Sequence, residues 1–194
     1  MRKKQPVLYL ASQSSRRRQI LKQLGIRFRV VSSSYHERHV LDCDPCEMTL
    51  RHARGKVRRA RLPRGARFVL GADTIVWLRK KNLGKPKTEI EAFEMLSFIS
   101  GKRHIVYTAV VLKDLVKKRE LKAVSKTKVW IQNLSDGKKR EYLRRIHPFD
   151  KAGAYAIQLG PRIVKKIEGS YSNVMGLPRE IVKDMFLEAT GVKL

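Results

Sequence analysis

Acidic residues are scarce in this chain. Asp and Glu number 17 against 44 Lys and Arg, a formal net charge of +27 over 194 residues. Such an imbalance creates a broad positive potential, so polyanions, nucleic acids included, are natural non-specific ligands at low salt. The basic residues run along the whole chain. A dedicated nucleic-acid surface and a general basic bias over an ordinary fold both account for that. Long apolar runs are missing too. Nothing approaches the roughly 18 residues of a membrane span. The opening Met1-Arg2-Lys3-Lys4-Gln5-Pro6 precedes too short an apolar stretch for a signal peptide. The expectation is a cytoplasmic protein with no membrane partner. Cysteine is confined to Cys43 and Cys46. Their C-x-x-C spacing suits a zinc half-site or a redox pair, with His36 and His39 as possible further ligands. No second pair exists and the histidines are out of finger register, so a loop with two free thiols is expected. G-x-x-x-x-G-K-[ST], G-x-G-x-x-G and G-x-S-x-G are all absent. Their absence excludes a P-loop enzyme and argues against the other two classes.

What is present is a 42% hydrophobic chain, enough for one core and one domain, with room for two lobes. Val7 to Leu10 is apolar and β-prone, Ala11 to Ser15 is small and hydroxyl-rich, and Arg16, Arg17 and Arg18 open a helix to Leu24 that Gly25 stops. A strand, a tight loop and a helix N-terminus make an anion site, because unpaired N–H groups and the helix dipole face the loop. Ser12 and Ser14 add hydroxyls, and Arg16 and Arg17 add forked donors suited to phosphate. Solvated arginines on a capped helix are the plain alternative.

Arg27 to Val31 alternates as a strand, and Ser32 to Pro45 reads as a loop containing Glu37. A helix follows over about 47–61, with Leu50, Ala53, Val57 and Ala60 on its apolar stripe and most of its basic residues in solvent. Phe68 to Leu78 is a near-continuous apolar run, as in a strand buried on both faces. Asp73 and Thr74 interrupt it, and a buried acid is costly unless paired, metal-bound or used in chemistry. A turn at 79–82 comes next. Thr88 and Glu91 form a capping box for a helix to Ser100, with Ile90, Phe93, Met95, Leu96 and Ile99 as its buried face. A hairpin over 104–134, a helix capped by Ser135, a small-residue segment at 148–158, a strand at 163–167, a loop at 169–176 and a helix from 178 to 189 complete the chain. The class is α/β, a mixed twisted sheet flanked by helices.

The inventory is that of phosphoryl chemistry: basic groups for phosphate oxygens, and carboxylates for a divalent metal or for activating water. The motifs also resemble a known family. Leu8 to Arg17, Gly71-Ala72-Asp73-Thr74, Gly84-Lys85-Pro86, Ser100-Gly101 with Tyr107-Thr108, Asp150 to Gln158, and Glu168 to Pro178 resemble, in order, the motifs of Maf-type nucleoside triphosphate pyrophosphatases. The resemblance implies two lobes around a central cleft, in a fold like that of inosine triphosphatase. It implies cleavage of a nucleoside triphosphate between the α- and β-phosphates, giving the monophosphate and pyrophosphate. Asp73 matches the proton acceptor and Glu37 a metal-holding acid, so Glu37 and Asp73 would hold Mg²⁺, Mn²⁺ or Co²⁺. Ser12, Ser14, Arg16, Arg17, Lys56 and Lys85 match substrate-contacting positions. Gly-Ala-Asp-Thr together with Gln158 is similar to the subgroup acting on dTTP and UTP, with modified pyrimidine nucleotides as further substrates. Arg16, Thr74 and Gln158 would then be specificity positions. A Gln amide offers a donor and an acceptor to a uracil or thymine edge. The alternatives are the family's 7-methyl-GTP activity and a basic nucleic-acid-binding protein on this scaffold. A homodimer follows by analogy. The chain departs from the pattern at Ser15, where proline is usual, at Tyr35-His36-Glu37, where one acid of a pair is lost, at Thr88, where an acid is common, and in a Gln158-Leu159-Gly160 segment one residue short.

Overall fold

The computed structural model describes residues 5–37 and 43–194. The elements are β1 (Leu8–Leu10), α1 (Ser15–Gln23), β2 (Phe28–Val30), α2 (Pro45–Arg58), β3 (Phe68–Leu78), β4 (Lys81–Leu83), α3 (Glu89–Ile99), β5 (Arg103–Asp114), β6 (Arg119–Ile131), α4 (Asp136–Ile146), β7 (Val164–Glu168), α5 (Tyr171–Val174) and α6 (Arg179–Thr190). The strands form one seven-stranded sheet in the order β2-β1-β3-β5-β6-β7, with β4 also on β3. β1 pairs in parallel with β2 and β3, and every other pairing is antiparallel. The sheet is therefore more antiparallel than the single hairpin expected from sequence.

β3 is the central strand because nearly all of its residues are buried. β5 covers one edge from Phe68 to Trp77. The other edge is shared, with β1 on Phe68–Leu70 and β4 on Val76–Leu78. Between these partners lies a gap at 71–75, and it holds Asp73 and Thr74. Side chains alternate along a strand, so these two point to opposite faces. One face carries Leu8, Leu10, Phe68, Leu70, Val110 and Leu112 packed on Ile20, Leu21, Val182 and Phe186 of α1 and α6. The other carries Val69, Ala109 and Val111 packed on Ala53 and Val57 of α2. Gly71 permits the second contact, since a Cβ there would stand 2.6 Å from the Ala53 carbonyl oxygen and 2.7 Å from Val57.

The caps fall where hydroxyl residues precede helices. Ser14, Thr88 and Ser135 each accept a hydrogen bond from a first-turn amide. Glu91 reaches back to the amide of Lys87 at 2.7 Å, one residue before the cap. Three expectations are corrected. Ile90 is 73% exposed, because α3 buries Ala92, Leu96 and Ile99 instead. The 79–82 turn is tighter, with Arg79 and Lys80 both left-handed and Lys81 already in β4. The 169–176 loop contains the short helix α5. Cys43 and Cys46 are free thiols at the start of α2. Among the described residues no cluster of three His, Cys, Asp or Glu could hold a metal, and His39 lies outside the described residues. No helix of the described residues is long and apolar enough to cross a membrane.

Candidate active site

A cleft of about 510 Å³ opens at the gap in β3. All ten residues singled out from sequence line it: Ser12, Ser14, Arg16, Arg17, Glu37, Lys56, Asp73, Thr74, Lys85 and Gln158. Its floor is at the carboxyl end of β1, where ligands of parallel sheets collect.

Arg17 is the buried member of the arginine run, at 8% exposure. Its Nε donates to the Gly176 carbonyl at 2.8 Å, Nη1 to Ser12 Oγ at 3.0 Å and Nη2 to Thr74 Oγ1 at 3.1 Å. Gly176 has φ +102°, and a Cβ there would lie 3.2 Å from Thr74 Oγ1, so glycine is what lets that carbonyl turn to Arg17. Thr108 donates to the Asn173 carbonyl, leaving its oxygen to accept from Thr74 and Thr74's oxygen to accept from Arg17. Thr74 is thus committed to holding Arg17. All three Arg17 acceptors are neutral, and no described carboxylate pairs with it. Burial lowers the basicity of Arg17, the nearby Asp73 charge opposing that. Ser12 and Ser14 use their oxygens as acceptors and donate to no described residue, so their hydroxyl hydrogens are available to the cleft.

Lys56 leaves the basic face of α2 and enters the gap. Its Nζ lies 2.5 Å from Asp73 Oδ1, 2.7 Å from Glu37 Oε1 and 3.4 Å from the Ala72 carbonyl oxygen. Asp73 is 4% exposed and Glu37 half exposed. Partial burial alone would raise the Glu37 carboxyl. The Lys56 ammonium, helped by His52 and Lys85, outweighs it and holds that carboxyl below the usual range. Asp73 Oδ2 makes no hydrogen bond among the described residues.

Across the cleft, Arg16 donates to Asp150 Oδ2 at 3.3 Å and to the Asp150 carbonyl at 3.1 Å. Asp150 also pairs with Lys151. Tyr142 clamps this wall, donating to the Ala156 carbonyl at 2.9 Å and accepting from its amide at 3.0 Å. Two residues beyond, Gln158 Oε1 is buried and has no hydrogen-bond partner among the described residues. Sequence reasoning missed Tyr35 as a lining residue. Its ring lies against Gly55, and its hydroxyl is 2.9 Å from His52 Nδ1. The glycine inside α2 was the available signal, since helix interiors otherwise disfavour it.

Residues 7–189 match the family described as Maf-like protein. The chain belongs to that family. It is 43% identical over 172 residues to the dTTP/UTP pyrophosphatase of Carboxydothermus hydrogenoformans, covering 88% of this chain and 92% of that one. It is 44% identical to the protein of the same name from a Geobacter species, covering 88% and 89%. The dTTP/UTP pyrophosphatase of Methanosarcina barkeri is 40% identical over 173 residues, covering 88% of each. This Maf-like chain therefore carries its ten candidate residues in one cleft, on a sheet interrupted where Asp73 stands.

Proposed function

We propose that this cleft hydrolyses dTTP and UTP to the monophosphate and pyrophosphate. The observation that carries the reading is Arg17, a buried cation with neutral partners only, beside two serine hydroxyls and the start of α1. An anion is the partner such a group calls for. The relatives named dTTP/UTP pyrophosphatase support the reaction class and the bases.

In this reading Ser12, Ser14, Arg16, Arg17 and Lys85 hold the triphosphate oxygens. Asp73 Oδ2, left open by Lys56, accepts a proton from water. The water oxygen bonds to the α-phosphorus, the bond from that phosphorus to the bridging oxygen breaks, and pyrophosphate leaves. Lys56 fixes the carboxylate and offsets charge in the cleft. Gln158 pairs with the uracil or thymine edge through its unpartnered oxygen and its amide N–H. Thr74 acts on specificity by placing Arg17, and Arg16 by its bridge to Asp150. Glu37 and Asp73 are the oxygen donors that would hold a hard cation such as Mg²⁺, Mn²⁺ or Co²⁺, which would share them with the Lys56 ammonium that bridges them. When bound, that ion would neutralise charge on the phosphates. The chain would act in the cytoplasm, as one domain with two lobes around the cleft.

The test is pyrophosphate release from dTTP, UTP, CTP, GTP and 7-methyl-GTP with each metal, beside Asp73→Asn. Release from dTTP and UTP that is lost in the variant supports the reading. Preference for 7-methyl-GTP moves the chain to the other subgroup. No release from any nucleotide overturns hydrolysis.

A further inference from the structure

Apart from the cleft, the sheet shows a second organised surface. Cross-strand partners share a face, so register places Trp77, Ile105, Lys128 and Glu168 in one row across β3, β5, β6 and β7. The next row is Arg103, Trp130 and Lys166. A third is Tyr107 with Lys126. α2 covers this side of the sheet from Val57 to Met48, over Val69, Ala109, Ile75 and Tyr107. Beyond its first turn no described helix packs on the face. Trp77 and Trp130 are half-buried there, and Arg103, Lys126, Lys128 and Lys166 are exposed. Lys166 Nζ sits 5.1 Å from the Trp130 ring centre and Lys126 Nζ 5.6 Å from that of Tyr107. The carboxylates nearby are Glu168, shared between Lys128 and Lys166, and Asp44, which caps α2.

We propose that this sheet face, open among the described residues, binds single-stranded nucleic acid, its phosphates on the lysines and Arg103 and its bases stacked on Trp77 and Trp130. Two strand spacings and a two-residue offset along the strands set the two indole positions about 12 Å apart, room for unpaired bases to lie on each. A flat face that presents aromatic rings among cations suits splayed bases rather than a duplex, whose bases are stacked inside. A second copy of this chain is the poorer occupant. It would bring the same four cations against themselves in a molecule of net charge +27. The inference is independent of hydrolysis in the cleft.

The test is binding of a fluorescent U20 oligonucleotide and a duplex of equal length to the full chain, by anisotropy across a salt series. We expect the single strand to bind more tightly than the duplex and to quench tryptophan fluorescence. Trp130→Ala should weaken U20 roughly tenfold, and Trp130→Tyr, which restores a stacking ring, should recover most of it. Lys126→Glu with Lys128→Glu should weaken it more than Lys22→Glu with Lys183→Glu, placed on helices of the opposite face. dTTP hydrolysis should stay unchanged in Trp130→Ala. Equal losses from the two lysine pairs, or Trp130→Ala binding like the parent, overturn the proposal in favour of diffuse charge. A dimer that Trp130→Arg converts to a monomer in light scattering overturns it in favour of a second copy.

Discussion

The cleft and the open sheet face are both basic, yet they hold their charge in different ways. In the cleft, Arg17 is buried on a carbonyl and two hydroxyls, and Lys56 is locked between two carboxylates. On the open face, Arg103, Lys126, Lys128 and Lys166 stand in water beside aromatic rings. Water screens exposed charges, whereas a desolvated cation keeps its full demand for a partner. The cleft is therefore built for one anion in one pose, and the face for a flexible polyanion in many. Neighbouring arginines repeat the contrast. Arg16 is matched by Asp150, and Arg17 by neutral groups only.

Removing the proposed proton acceptor should separate the two surfaces most. Asp73→Asn should lower kcat for dTTP by about 10³-fold, within the range for general-base loss, and leave U20 affinity unchanged. Stopped-flow pyrophosphate assays and anisotropy read the two sides separately. A next probe lies on β5, where Arg103 faces the open side and His104 the closed core. Burial depresses the His104 pKa to about 4. The unfolded chain then takes up a proton near pH 6.5 that the folded chain refuses until about 4. Stability is full above 6.5 and falls through that window by roughly 3 kcal/mol. Urea midpoints from pH 7 to 4 measure it, and His104→Gln should flatten the difference. If parent and variant run parallel, the ring is not what resists protonation.

Arg17→Lys should cut kcat/KM by about 100-fold, since an ammonium cannot reach three acceptors with the geometry of a fork. Arg18→Ala, one residue on and exposed, should change it less than about twofold. Equal effects would remove the distinction between buried and solvated arginine. Tyr142→Phe takes away both bonds to Ala156 and should cost about 1–3 kcal/mol of stability, with a several-fold higher KM for dTTP. A kcat loss at constant KM would show that Tyr142 does not act through Gln158. The smallest effect is expected at Lys128→Ala, with dTTP turnover unchanged at any salt concentration.

Local chemistry made much of this legible. Hydroxyl caps at Ser14, Thr88 and Ser135, the apolar run from Phe68 and the arginines after a small-residue loop act over a few residues, so those elements and the start of α1 follow from local chemistry alone. The ten residues that line the cleft were legible through the family resemblance, Glu37 and Lys56 lying outside its quoted motifs. Three things needed the tertiary structure. Which arginine is buried depends on Gly176, 159 residues from Arg17. That Asp73 stands at an unpaired edge depends on β1 and β4 stopping short of each other on β3. That Trp77, Lys128 and Trp130 share one face depends on strand register, which brings together side chains up to 53 residues apart and which no linear pattern of basic and aromatic residues displays. Pairing across strands is a property of the folded sheet, so only the fold could decide it.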